Sequence, residues 1–236
     1  MLVIELEDYL KRPDSVQRYL QRAIDRFPEE FSLRLLRGHV LTMNGRAEEG
    51  IEAYYEALPY ASTDSLRSAV YASIGDGWQE LARGTGTVEQ AVERRDERWQ
   101  LYSPRCYDAY RMALKYNPDN VPVLNNFAYY LSLEGRQLKR AVRMSARAVE
   151  LEPSNPTYID THAWVLYRLG RLEEAKKLMQ QALSLDGQRS AELQMHYGDI
   201  LAALGETFLA ETYWKRALAN GYDKEAVERR LDALKK

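Results

Sequence analysis

Thr161 to Ala182 read THAWVLYRLGRLEEAKKLMQQA, and the spacing within these residues decides the fold. A small residue, Ala163, stands seven positions before Gly170, and after the glycine a second rhythm begins with Ala175, Met179 and Ala182. Such steps bring side chains onto one helical face, while the glycine between the two runs lets the chain reverse. The stretch predicts two helices folded against each other with small residues at their contact.

The arrangement recurs at a fixed distance. Gly135, Gly170 and Gly205 are 35 residues apart, preceded at the same interval by Ala128, Ala163 and Gly198, and Gly38 with Gly45 repeats this spacing upstream. The second rhythm returns as Ala141, Ser145, Ala148 and as Ala210, Trp214, Ala217. It also fits Gly50, Tyr54, Ala57, then Cys106, Tyr110, Ala113, and near the start Val16, Leu20, Ala23. Pro28, Pro118 and Pro153 each follow the last alanine of their run and stop the helix there. Helix starts are expected at Asn155 before Pro156, at Ser103 before Pro104, and at Thr87 paired with Gln90.

This order of small residue, glycine turn, alanine, bulky residue, alanine and proline resembles the tetratricopeptide repeat. The likeness is strongest from Val121 to Gly221, where LNNFAYYLSLEGRQLKRA (Leu124 to Ala141) and THAWVLYRLGRLEEA are similar to successive repeats of bacterial multi-repeat proteins. One extra residue between Gly135 and Ala141, Gly50 in place of an alanine, and a large insertion in the second full unit depart from the pattern. The resemblance implies an all-α, right-handed α-solenoid of antiparallel helix pairs. The expected units are a partial or degenerate one at 1–30, then 31–60, an expanded one at 61–120, then 121–155, 156–190 and 191–222, with a capping helix at 223–236. In that last helix Val227, Leu231 and Leu234 form the inner face, and Glu228, Arg229, Arg230, Asp232 and Lys235 face outward. At the front, Met1 to Leu10 would supply a shortened first helix and Ser15 to Phe27 the second, the pattern of a degenerate cap or of an array cut from a longer one.

The insertion, around 84–103, places Val88, Val92, Trp99 and Tyr102 at helical spacing. Trp99 and Tyr102 either pack on their own unit or belong to a protruding helical arm that binds a partner.

Bulk composition narrows the function classes. The 236 residues are 45% hydrophobic and 29% charged, enough of each for a buried core and a wet surface. Thirty-three Lys and Arg against 35 Asp and Glu give a formal charge of -2, which provides no field for nucleic acid. Met1 to Ile4 is followed by Glu5, Glu7 and Asp8, and no apolar run is long enough to span a bilayer. The chain reads as soluble, with cytoplasm and periplasm both open. One cysteine, Cys106, excludes an internal disulfide framework.

No catalytic residue, cofactor or metal centre is expected. His39, His162 and His196 fall one per unit without the spacing of a metal motif. Cys106 occupies a small-residue position and reads as a buried spacer. Gly84 to Thr87, GTGT, lacks the lysine of a phosphate loop and reads as a connector, while Glu48, Glu49, Glu173 and Glu174 suit the start of a helix.

In the repeat family the first helices of successive units line a concave groove, and the resemblance implies that role here for Asn125, Tyr129, Asp160, Trp164, Arg168, Met195 and Asp199, with His39 and Asp76 from earlier units. Tyr129 and Trp164 either face the groove or pack between helices. Only Arg168 among them is basic, which disfavours a clamp for a C-terminal carboxylate. The expected role is a scaffold that binds a protein or peptide segment within a larger bacterial assembly. Rival readings are a regulatory segment of a larger enzyme and a structural array that self-associates through its N-terminal end.

Overall fold

Five glycines set the turns. Gly45, Gly135, Gly170, Gly205 and Gly221 all have positive φ, between 66° and 93°. At Gly170 the amide donates to the Tyr167 carbonyl and the next amide, Arg171, reaches back to Leu166, both at 2.9 Å. Gly45, Gly135, Gly205 and Gly221 make the same pair of bonds. This closure satisfies the orphan carbonyls of a helix end and needs a left-handed residue, which glycine supplies without strain.

The computed structural model describes residues 13–186 and 189–234, so the expectation for Met1 to Leu10 lies outside the described residues. Among the described residues the regular structure is helical, with no strand. Contacts divide the chain into two compact units, Met1–Val123 and Leu124–Lys236.

The first unit holds α1 (Pro13–Arg26), α2 (Phe31–Met43), α3 (Ala47–Ala57), α4 (Asp64–Arg83), α5 (Val88–Glu93) and α6 (Glu97–Tyr116), and ends at the start of α7 (Val121–Leu133). Helices α2 and α3 pack as a pair, as do α4 and α6. The second unit continues α7 and adds α8 (Leu138–Leu151), α9 (Pro156–Arg168), α10 (Leu172–Asp186), α11 (Ala191–Ala203), α12 (Thr207–Ala219) and α13 (Lys224–Ala233). There α9 pairs with α10 and α11 with α12, and their core runs from Ile159 to Val227.

Close approach inside the pairs follows one rule. A Cβ added at Gly38 would lie 2.3 Å from the Tyr54 ring, at Gly75 2.4 Å from Tyr110, and at Gly198 2.4 Å from Trp214. Wherever the bulky member of the second helix is aromatic, the small member of the first is glycine. Where it is Met179 or Ser145, the corresponding first-helix residues are Ala163 and Ala128, all four fully buried. The largest side chains thus face the smallest residue, as a close-packed interior requires.

The insertion lengthens one helix pair. Both α4 and α6 have 20 residues, joined through α5, whose Thr87 and Gln90 form a reciprocal capping box. Trp99 is 4% exposed and Tyr102 stacks on Trp78 with ring centroids 5.7 Å apart, so the added segment packs on its own unit. Helix α6 does not begin at Pro104. It starts where the Asp96 side chain accepts from the Arg98 amide at 2.8 Å, and it runs through the proline. Burial of Trp99, Cys106, Tyr107 and Tyr110 on either side of the proline offsets the missing backbone donor.

Helix α13 covers the end of the second core with Val227, fully buried, and with Leu231 and Leu234 packed against the same cluster. Arg230 departs from the outward face expected of it. Its guanidinium turns back onto Asp199, with Nε 2.6 Å from Oδ1 and Nη2 2.8 Å from Oδ2.

The size rule generates a double-mutant prediction. Gly198→Ala alone should destabilise by about 1–3 kcal/mol through overpacking against Trp214. Trp214→Met alone should also destabilise, but the double variant recreates the Ala163 and Met179 combination. Urea unfolding should then give a double-variant loss smaller than the sum of the singles by about 1 kcal/mol or more; strict additivity would rule out the contact as its cause.

Candidate functional site

The first helices of the second unit, α7, α9 and α11, bring one set of polar and aromatic side chains together. Its centre is a buried ion pair: His196 Nδ1 lies 2.9 Å and 3.0 Å from the two carboxylate oxygens of Asp160, and both residues are about 4% exposed or less. Trp164 stacks on the His196 ring at 4.2 Å and lies tilted against Tyr167 at 4.8 Å, and the Tyr129 ring lies 6.2 Å from His196. The Tyr129 hydroxyl stands 3.5 Å from Glu192 Oε1 on the exposed turn of α11.

Burial alone would pull the imidazole of His196 down, because it penalises the charged form. The Asp160 carboxylate, through its charge and its hydrogen bond, outweighs that penalty with help from Glu192 and Asp199, and holds the group up at about 9. One ligand atom each from Asp160, Glu192 and His196 lies within 4.8 Å of the others. In His196, however, Nδ1 addresses both oxygens of Asp160 at hydrogen-bond distance, the geometry of a shared proton. At neutral pH the lone pair a cation would need is protonated.

Among the described residues of this unit, the buried polar atoms without a hydrogen-bond partner include Trp164 Nε1 and Asn125 Oδ1. Trp164 is 7% and Asn125 6% exposed. The Asn125 amide nitrogen reaches its neighbour Asn126 at 3.2 Å, which leaves the oxygen facing no donor. A buried polar group left unpaired costs about 1–3 kcal/mol, so each of these atoms calls for a partner.

The remaining expected site residues divide. Tyr129 is half-buried and Arg168 exposed, with Arg168 Nη1 donating to the Leu133 carbonyl at 3.3 Å across to the end of α7. Met195 does not face outward: it is fully buried in the second core, because the register of α11 turns it toward α10 and α12 and leaves His196 on the α9 side. Asp199 accepts from Trp214 Nε1 at 2.9 Å and clamps Arg230, so it anchors α12 and α13. In the first unit Asp76 does the same for the Tyr110 hydroxyl at 2.6 Å. His39 is exposed, its ring edge-on to Tyr54 at 5.4 Å.

His196 and Glu192 are the residues that spacing missed. The 35-residue interval sets His196 opposite Thr161, whereas the contact it makes is diagonal, to Asp160. His162 lies apart from this cluster and bonds Ser145 Oγ at 2.9 Å.

The ion pair has a pH signature. A folded-state value of about 9 against an ordinary 6.5 means that its stabilisation is complete below about pH 6.5 and lost as pH rises through about 9. Urea midpoints of the wild-type chain should therefore fall between pH 6.5 and 9.5 by more than those of Asp160→Asn, in which the imidazole loses its counter-charge. Parallel pH profiles for the two proteins would contradict a charged pair.

Comparison with known proteins agrees with this architecture. The tetratricopeptide repeat family model matches residues 7–65 and 161–225. A TPR repeat-containing protein of Pseudomonas aeruginosa is 24% identical over 173 residues, covering 73% of this chain but only 26% of that relative's length. Among solved structures, the crystal structure of YrrB, described as a TPR protein with an unusual peptide-binding site, superposes with a TM-score of 0.62 at 18% identity over 90% of this chain and 97% of its own. PilF of Pseudomonas aeruginosa gives 0.63 at 17% identity over 84% of this chain and 79% of its own. With repeated glycine-turned helix pairs in both units and a family model that spans more than half of the residues, the chain belongs to the tetratricopeptide repeat family.

Proposed function

We propose that this chain is a non-catalytic scaffold that holds a segment of a partner protein along the first helices of its second unit, within a larger bacterial assembly. The tetratricopeptide fold is in general a protein-interaction scaffold, and among the described residues no helix is long and apolar enough to cross a membrane.

One observation carries the reading: the unpaired Trp164 donor and the unpaired Asn125 acceptor. A peptide main chain offers both complements, a carbonyl for the indole N–H and an amide for the side-chain oxygen. Aromatic residues such as Tyr129 and Trp164 add contact area at little entropic cost. The peptide-binding site ascribed to YrrB gives the reading a precedent on a similar fold. A second reading, a regulatory segment of a longer protein, draws on the Pseudomonas relative, of which the matched stretch is 26%.

A displayed random-peptide library panned on the whole chain tests the first reading. Selected peptides should bind the wild type and lose about five- to tenfold in affinity on Trp164→Phe, which keeps the stacked ring and removes the N–H, and a similar factor on Asn125→Ala. Peptides that bind both variants as tightly as the wild type would place the interaction elsewhere.

A further inference from the structure

Between α4 and α6 of the first unit the inserted residues wall a cavity of about 420 Å³. Arg83 from the end of α4, Arg94 from the turn after α5 and Arg98 from the first turn of α6 line it, together with the Gly84 to Gly86 loop. Charge totals along the chain do not announce such a place, since four arginines meet five acids between Glu80 and Arg98. Folding sorts them: three of those arginines line the cavity, and Asp96 is the one acid among its described lining residues. That carboxylate is engaged at the start of α6, where Oδ1 accepts from the Arg98 amide at 2.8 Å. Arg83 lies 3.8 Å from Glu80 and donates through Nη1 to the Gly86 carbonyl at 3.2 Å. Arg94 and Arg98 are exposed and form no ion pair among the described residues. Even with Asp96 and Glu80 both counted, the three guanidinium groups leave positive charge over, and like charges gathered around one space repel until an anion enters it.

The loop keeps that space open. Gly84 has a φ of 61°, and a Cβ added there would lie 3.5 Å from the Arg98 guanidinium. A Cβ on Gly86 would come within 2.9 Å of Gln90 Oε1, the oxygen that accepts from the Thr87 amide. Between the two glycines Thr85 is exposed and makes no hydrogen bond among the described residues, so its amide and hydroxyl remain available as donors. The lysine that this Gly-Thr-Gly-Thr stretch lacks is replaced by arginines from the helices on either side. Charge and shape then choose among anions. A phosphate monoester carries a charge of about −1.5 to −2 at neutral pH on three acceptor oxygens, which suits several guanidinium forks at once. A carboxylate, with one charge and two oxygens, serves fewer of them.

We propose that this cavity binds a phosphate monoester, its oxygens shared between Arg94 and Arg98 beside the Gly84 to Gly86 loop. The site lies within the first unit and stands independently of the groove reading. Its volume falls in the range of small-ligand sites, about 300–1,000 Å³, which leaves room for the group that carries the phosphate.

The test follows the backbone amide resonances of Gly84, Thr85 and Gly86 in the whole 15N-labelled chain at constant ionic strength. Four probes are titrated: inorganic phosphate, phenyl phosphate, N-acetyl-phosphoserine N-methylamide and N-acetyl-aspartate N-methylamide. The phosphates should shift these amides saturably at pH 7.5, about fivefold or more tighter than the aspartate compound. Binding of the esters should weaken about fivefold or more at pH 5, below the second phosphate pKa of about 6. Arg94→Gln and Arg98→Gln, both at exposed positions, should keep the wild-type urea midpoint and each lose about fivefold or more in phosphate affinity. Tighter binding of phosphoserine than of phenyl phosphate assigns the ester to a partner segment, and the reverse order assigns it to a free small molecule. Shifts that sodium chloride reproduces, equal affinity for the aspartate compound, or wild-type affinity in the Arg94→Gln, Arg98→Gln double variant would each overturn the site.

Discussion

Three helix pairs close by bringing the backbone of one helix within reach of an aromatic side chain on the other. Gly38 under Tyr54, Gly75 under Tyr110 and Gly198 under Trp214 provide that approach, with no room for even one methyl group. Each aromatic then carries a polar tip that must be satisfied, and the residue after the glycine often supplies the acceptor. Asp76 takes the Tyr110 hydroxyl and Asp199 takes the Trp214 N–H. Close packing and hydrogen bonding are thus coupled at one point of the pair. This is why Asp76 and Asp199, which look like ligand-facing residues when counted along a helix, serve the scaffold first.

Trp164 shows the contrast. Its neighbour Ala163 stands in the small-residue position, and the bulky partner there, Met179, has no polar tip to satisfy. Trp164, at the position equivalent to Asp199, therefore has no indole to accept from and instead lies flat on His196. Its own N–H goes unpaired. Methionine in place of an aromatic at this point of the packing pattern releases the following residue from accepting a hydrogen bond across the pair, which is what the proposed groove reading draws on.

The repeat was legible because glycine turns and small residues at helix contacts are fixed by backbone geometry, which leaves few alternatives in sequence. The 35-residue interval and the identity of Gly135, Gly170 and Gly205 carried the turns and the helix pairs directly. Side-chain direction was less legible. Met195 was expected to line the concave groove and lies in the core, because a change of one residue turns a helical position by roughly 100°. The Asp160 and His196 pair was hidden for a different reason: it is diagonal between repeats, so neither periodicity nor spacing within one unit points to it. Arg230 was read as solvent-facing from the amphipathic pattern of its helix, yet a long side chain at the flank can reach back to a half-buried carboxylate and does so with Asp199.

The two ion pairs of the second unit differ in what they do. Arg230 and Asp199 are partly exposed, with Arg230 keeping 28% of its side-chain surface and Asp199 10%, so solvent screens the pair and its value lies in holding α13 in place through two parallel bonds. Asp160 and His196 are enclosed, and burying two charges recovers little unless their geometry is fixed. A hydrophobic pair of similar size would close the same space at less cost. What an apolar pair would not provide is a rigid charged floor for the Trp164 ring, an imidazole held in one orientation by both oxygens of Asp160. The expense of the buried pair is understandable if the face above it exists to be occupied.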